Sequence, residues 1–298
     1  MESVCAGNRT GGSNPLASAK QRWTAGSHRA QKREIPHPVA SAIHGFSIMN
    51  DTIIELKNIT KRYGYGDTES FALKDFNLTV KRGEFIMIMG PSGCGKTTLL
   101  NIMGLLDRAS DGEYYLNGED VAGISAARSA RLRAKKIGFI FQNFNLIQDL
   151  PILENVALPL VYVNKPRTVR LKSASEALKR FHLGEREYYL PSQLSGGQQQ
   201  RAAIARAIVS DPEIILADEP TGNLDSRSSH IVMEELKAIH EEGNTIIMVT
   251  HNPALTIYAT RVINMLDGQI DTDIKTVEDH NLPQPIDNKI KRHRRRKH

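Results

Sequence analysis

The segment Gly90-Pro-Ser-Gly-Cys-Gly-Lys-Thr97 has the residue types and spacing to hold phosphate. Gly90, Gly93 and Gly95 let backbone N–H groups curl around an anion, and a helix starting at Lys96 aims its positive end at the same point. Lys96 is suited to neutralise β/γ phosphate oxygens, and the Thr97 hydroxyl to hold Mg²⁺. Pro91, Ser92, Cys94 and Thr98 complete the binding set. The competing reading is a glycine-rich strand-to-helix turn with a chance lysine. An apolar strand before the loop and a helical pattern after it favour phosphate.

Downstream, Glu213-Ile-Ile-Leu-Ala-Asp-Glu219 reads as a buried strand ending in two carboxylates. Asp218 at the strand tip can hold Mg²⁺, and Glu219 lies where a general base would polarise an attacking water. Without the phosphate loop, a plain acidic strand end would be preferred. Between the two lies Leu194-Ser-Gly-Gly-Gln-Gln-Gln-Arg201. By itself it is a Gly-Gly turn opening a helix, and a Ser with bare amides at a helix N-terminus makes an anion site. Cys94, beside Lys96 at a helix start, is either a reactive low-pKa thiol or a small residue filling the loop.

Together, and over roughly residues 52–272, these segments resemble the ATP-binding cassette ATPases, the motor subunits of ABC transporters. The resemblance implies ATP and Mg²⁺ as ligands. It implies that Ser195, Gly196, Gly197 and Gln198 contact the γ-phosphate of ATP held by a second copy, in a head-to-tail homodimer. Gln142 resembles the loop glutamine that senses the metal (with Thr97 and Asp218) and joins two lobes. Gly222-Asn-Leu-Asp225 resembles the loop coupling the two sites, with Asp225 near the nucleotide. His251 resembles the switch histidine, grouped with Glu219, Lys96 and Gln142 as catalytic. Tyr63 resembles the aromatic that stacks on adenine, with Tyr65 as its rival.

Asn101-Ile-Met-Gly-Leu-Leu-Asp107, Phe141-Gln-Asn-Phe-Asn-Leu146, Glu154-Asn-Val-Ala-Leu-Pro159 and Thr221-Gly-Asn-Leu-Asp-Ser226 resemble the macrolide-export and lipoprotein-release branch. That branch implies an integral membrane permease as partner, export or mechanical work outside the membrane, and a peripheral position on its cytoplasmic face. A related pair acts in cell division, so a regulatory ATPase controlling a cell-wall hydrolase is the alternative. Ribosome-directed cassette ATPases carry two cassettes per chain, and DNA-repair relatives replace the helical lobe with a long coiled coil. This sequence shows neither feature. Two departures stand out: Glu185-Arg-Glu-Tyr-Tyr-Leu190 lacks an acidic-basic-x-x-His run, and Asn252 replaces the acid often found after the switch histidine.

The elements that must position these residues read as an α/β fold. A P-loop NTPase core holds a parallel sheet, joined by an antiparallel β subdomain and an inserted helical subdomain. Strands are expected at Thr52–Lys57, Phe71–Val80, Glu84–Met89, Ile137–Phe141, 213–218, 245–249 and 261–266, with helices from Lys96, over 197–210 and over 227–241. Residues 151–190 read as helical, with Leu171, Ala174, Leu178 and Phe181 on one stripe and Gly184 as the stop. The organisation expected is a disordered extension at 1–48, an ATP-binding domain at 49–275 with its lobe at about 143–192, and a disordered tail at 276–298. Met49 would then be the natural start.

The net charge of +6 belongs to the ends. Residues 1–48 carry six Lys or Arg against two acids, residues 289–298 carry seven with none, and the body is left at about −5. No specific nucleic-acid partner is therefore expected. The C-terminal run could bind anionic lipid headgroups, touch RNA or be a solvated tail. Two cysteines far apart, Cys5 and Cys94, suit a reducing compartment, and no apolar run approaches the ~18–20 residues of a membrane span.

Overall fold

The computed structural model describes residues 51–64 and 69–276. Tyr65, the expected extension at 1–48, the start at Met49 and the basic run at 289–298 lie outside the described residues. An antiparallel sheet has the order β2-β1-β4-β5, from Thr52–Tyr63 (β1), Ser70–Lys81 (β2), Asp111–Leu116 (β4) and Glu119–Asp120 (β5). A second sheet runs β10-β9-β3-β8-β7-β6: Gln269–Lys275, Arg261–Leu266, Phe85–Met89, Thr245–Val249, Ile214–Asp218 and Ile137–Phe141. All of its pairings are parallel except β9 with β10.

The central strands are continuous apolar runs because both faces are covered. In β3 and β7, Phe85, Met87, Ile215 and Ala217 enter one core, while Ile86, Ile88, Ile214 and Leu216 enter the other. The second core is closed by α1 (Lys96–Met103), through Leu99, Leu100 and Met103, and by the antiparallel sheet, through Ile54, Phe76 and Leu116. The first is closed by α6 (Gly196–Ile208), α7 (Ser226–Glu241) and the helical lobe. Gly138 of β6 has no room for a side chain against α6: a Cβ there would sit 2.4 Å from the Ala207 carbonyl oxygen. Glycine on the strand and alanines on the helix let α6 lie directly on the sheet.

The lobe is not one helix but α3 (Ile152–Ala157), α4 (Pro159–Tyr162) and α5 (Arg167–Arg180). Pro159 and Pro166 set these starts, at positions where a missing N–H costs nothing. Ala174, Leu178 and Phe181 are buried and Leu171 packs beside them. The stop comes before Gly184: α5 ends at Arg180, and His182 takes a left-handed φ of 58°. Fully buried Asn155 fixes the entry loop, accepting from Ile147 N–H at 2.7 Å and donating to the carbonyls of Ile147 and Leu150 at 3.0 and 2.9 Å.

The two sheets are tied at their base by Glu213. Its carboxylate accepts from Arg82 at 2.7 Å and Asn117 at 3.1 Å, each one residue beyond a strand of the antiparallel sheet, and from Lys136 at the end of α2 (Ala126–Lys136). Burial alone would raise its pKa, but Lys136 and Arg82 outweigh burial and hold it at about 2. Because the folded value lies below the ordinary 4.5, this contribution is full above about pH 4.5 and is lost as the pH falls through about 2. Glu213→Gln should therefore lower the melting temperature at neutral pH, by about 1–3 kcal/mol of stability after allowance for partial exposure. Wild type and variant should converge in melting scans taken between about pH 6 and 2; a gap independent of pH would contradict an ionic role.

Candidate active site

Because β3, β8 and β7 run parallel, their carboxyl ends open on one edge of the sheet, where open α/β folds bind ligands. From β3 the chain turns through Gly90, Gly93 and Gly95, at φ of 149°, 83° and 101°. Side chains are excluded there by space as well as by conformation. A Cβ on Gly95 would meet the Ala72 carbonyl oxygen at 2.2 Å, and one on Gly90 the Met265 carbonyl oxygen at 2.3 Å. The turn delivers the first-turn amides of α1, which have no intrahelical acceptor, to a single point. A cleft of about 440 Å³ opens over them, lined by Ser92, Gly93, Lys96, Thr97, Thr98, Glu219 and His251 among others.

Lys96 is buried, its ammonium donating to the carbonyls of Gly90 and Pro91 at 2.9 and 2.8 Å. Asp218 stands at the tip of β7 beside Thr97. Burial pushes the Asp218 carboxyl above its ordinary value, the Glu219 charge adds to this, and Thr97 and Lys96 oppose it. Glu219 takes a left-handed φ of 44°, uncommon outside glycine and frequent at functional sites. It is fixed by its N–H on the Val249 carbonyl at 2.9 Å and by the Gly222 N–H on its own carbonyl at 3.0 Å. Its Oε1 lies 3.1 Å from His251 Nδ1. Thr97, Asp218 and Glu219 thus bring hard oxygen donors to a loop suited to phosphates, a donor set that fits a nucleotide with Mg²⁺, which takes one or two carboxylates plus phosphates.

The remaining residues gather elsewhere. Gln142 packs on the Gly222 turn, its backbone and side chain bonded to Asn223 at 3.2 and 3.5 Å; it does not line the cleft. Tyr63 is half-exposed at the end of β1, its hydroxyl 3.1 Å from Asp107 and its ring beneath the Lys61 ammonium. The Cys94 side chain is buried, 4% exposed, in the core beneath the antiparallel sheet, and its Sγ lies 3.8 Å from the Lys96 ammonium.

Ser195 caps α6, its hydroxyl accepting from Gln198 N–H while the Gln198 side chain accepts from Ser195 N–H at 2.9 Å, a reciprocal capping box. None of Ser195–Gln198 lines the Lys96 cleft of the same chain. Asp225 caps α7 through Ser228, which bonds it by N–H and hydroxyl at 2.9 and 2.8 Å; these bonds, the backbone one first, lower the Asp225 pKa. Asn252, the departure noted above, caps the turn Pro253–Tyr258 by accepting from Ala254 N–H at 3.0 Å, which an aspartate would do equally.

Two residues of α6 were not expected. Gln200, fully buried, donates to the Pro220 carbonyl at 2.7 Å, next to Glu219. Arg206 donates to the carbonyl of Phe144 at 2.8 Å and to that of Asn145, both left-handed residues just beyond Gln142. Burial lowers the Arg206 pKa to about 10. The signal in the sequence was Gln200 at i+3 from Gly197 on an otherwise small and apolar face.

The family model described as "ABC transporter" matches residues 73–222. An uncharacterised ABC transporter ATP-binding protein of Methanocaldococcus jannaschii is 52% identical over 218 residues, covering 73% of this chain and 97% of that one. The chain belongs to the ABC transporter family. It is an ATP-binding cassette of that family, an ATPase. The macrolide export ATP-binding/permease protein of Pasteurella multocida is 46% identical over 226 residues, covering 76% of this chain but only 35% of that protein. The chain therefore spans about a third of these macrolide-export relatives. A solved cassette, dimeric in a post-hydrolysis state with ADP and Pi, matches at a TM-score of 0.70 with 44% identity, covering 74% of this chain and 98% of that one. Among the described residues no helix is long and apolar enough to cross a membrane.

The α6–α7 contact yields a test. A Cβ on Gly197 would meet the Ser228 hydroxyl at 2.7 Å and its Cβ at 3.0 Å, breaking the Asp225 cap. Gly197→Ala should lose about 1–3 kcal/mol by overpacking, read as a lower melting temperature. Ser228→Gly in the same chain should recover much of that loss; additive losses would argue against the contact.

Proposed function

We propose that the chain is the motor cassette of an export-type ABC transporter, and that two copies close head to tail over two ATP molecules. One observation carries this reading: the capped N-terminus of α6, with Ser195 exposed, does not line its own chain's cleft. An N-terminus of this kind would serve the ATP of a second copy. Solved relatives that are dimeric support it.

In the proposed chemistry, Lys96 and the amides of the Gly90–Thr97 loop neutralise the β- and γ-phosphate oxygens. Thr97 and Asp218 would hold Mg²⁺, and Gln142 would join them by moving from its place on the Gly222 turn; Mg²⁺ when bound withdraws charge from those oxygens. Glu219 accepts a hydrogen bond from the attacking water. An oxygen–phosphorus bond then forms at the γ-phosphorus as the bond to the ADP oxygen breaks, and the water proton leaves through Glu219. His251, bonded to Glu219 at 3.1 Å, holds the carboxylate toward the cleft and stabilises the γ-phosphate. Tyr63 stacks on adenine, and Ser195, Gly196, Gly197, Gln198 and Asp225 act across the dimer.

The permease docks, in this reading, in the apolar groove of about 330 Å³ between β6 and the lobe, lined by Leu106, Phe139, Leu158, Pro159, Tyr162 and Arg206. Its exposed aromatic, Tyr162, is 61% accessible. The export relatives carry ATP-binding and permease activities in one chain, of which this chain matches about a third. The cassette would then sit on the cytoplasmic face of the membrane, as a peripheral subunit.

Glu219→Gln should retain ATP binding, lose hydrolysis by two orders of magnitude or more, and elute as a dimer in light scattering when ATP is present. A variant that turns over at the wild-type rate would remove Glu219 from the mechanism. Tagged Glu219→Gln protein drawn from gently solubilised native membranes should bring down one integral membrane protein in equal amount. Recovery of ribosomes or DNA instead would leave the ATPase standing and remove the transporter.

A further inference from the structure

The turn that carries Glu219 is pinned on three sides. The Glu219 N–H donates to the Val249 carbonyl on β8 at 2.9 Å, and the Gly222 N–H donates to the Glu219 carbonyl at 3.0 Å. The third tie comes from another element: the Gln200 side-chain amide donates to the Pro220 carbonyl at 2.7 Å. Gln200 is fully buried, and among the described residues its amide oxygen has no partner. A buried amide left half-paired costs stability in an apolar helix face, so packing alone does not account for a glutamine among Ala202, Ala203 and Ala205. A left-handed φ at a non-glycine residue persists only when its surroundings over-determine it, and Pro220 is the peptide adjoining Glu219.

We infer that Gln200 is a positioning residue for Glu219, joining the helix that presents Ser195–Gly197 to the turn that carries the water-polarising carboxylate. The inference rests on the function proposed above. There the start of α6 serves the ATP of a second copy, while Glu219 serves the chain's own. Gln200 lies five residues beyond Ser195 on the same helix, so a shift of α6 on contact with the other copy's nucleotide moves the Pro220 carbonyl directly. Small displacements of a catalytic group suffice to change rate, since about 1 Å of misplacement can cost on the order of a hundredfold.

Two variants test it in the full-length chain by ATPase kinetics. Gln200→Leu keeps the volume and removes the donor. It should lower kcat by about ten- to hundredfold, with KM for ATP and melting temperature near wild type. Gln200→Glu supplies a group that donates to the Pro220 carbonyl only when protonated, and burial raises the pKa of such a carboxyl. Its kcat, divided by that of wild type at each pH, should rise as the pH falls. That ratio removes the pH dependence that both proteins share. A pH-independent ratio, or a wild-type kcat in Gln200→Leu, would overturn the assignment. If Gln200→Leu does not fold, the Gln200→Glu profile decides alone. Wild-type turnover in Glu219→Gln would instead mark failure of the proposed function, whereas failure here leaves Glu219→Gln inactive.

Discussion

The parallel pairing of β3, β8, β7 and β6 puts Ile88, Val249, Asp218 and Phe141 in one register row across the sheet. The residues just beyond that row are Gly90, His251, Glu219 and Gln142. Four segments distant in sequence thus meet at one edge because their strands are paired in step, and a shift of a single strand would turn its side chains to the other face. Burial enforces the register. Both faces of these strands are covered, so no slipped pairing hides the same apolar surface.

Around that edge, α6 has contacts out of proportion to its length. Its start is closed by the Ser195–Gln198 capping box, its middle holds the Pro220 carbonyl, and its last turn grips the carbonyls of Phe144 and Asn145. Small residues let it do so, since Gly138, Gly197 and the alanines remove the side chains that would hold it off the sheet and off α7. Polar side chains then work at short range inside a tightly packed layer, where a hydrogen bond to a fixed carbonyl has a defined direction.

The sheet and the phosphate loop were legible because burial on both faces writes β3, β6, β7 and β8 as unbroken apolar runs bounded by turns. The observed bounds of β6 and β8 match the expected ones, and those of β7 differ by one residue. The elements that escaped notice are those the solvent touches. Strand β4 begins with three exposed residues, and α2 buries only Ala134, although its Ser125 cap and terminal Arg133, Lys135 and Lys136 are legible helix signals. Strand β10 carries mostly polar residues on the outer edge. Of the site, residue types and order could be read, but not conformation. Neither the left-handed backbone of Glu219 nor the inward turn of Cys94 has a signature in a string of letters. Gln142 is held on the Gly222 turn next to a loop whose path is set by Arg206, 64 residues away, a tie that no motif announces.

Asn155 and Arg206 bear on mechanics as well as on folding. The chain leaves the sheet at Phe141 and enters the lobe through residues that these two side chains hold by their carbonyls. It returns through the capped start of α6. A joint with both of its crossings clamped has no slack, so torque applied to the lobe cannot be absorbed by loop rearrangement. The lobe and residues 143–147 would turn together against α6 and the sheet edge, in the manner of a crank rather than a flap.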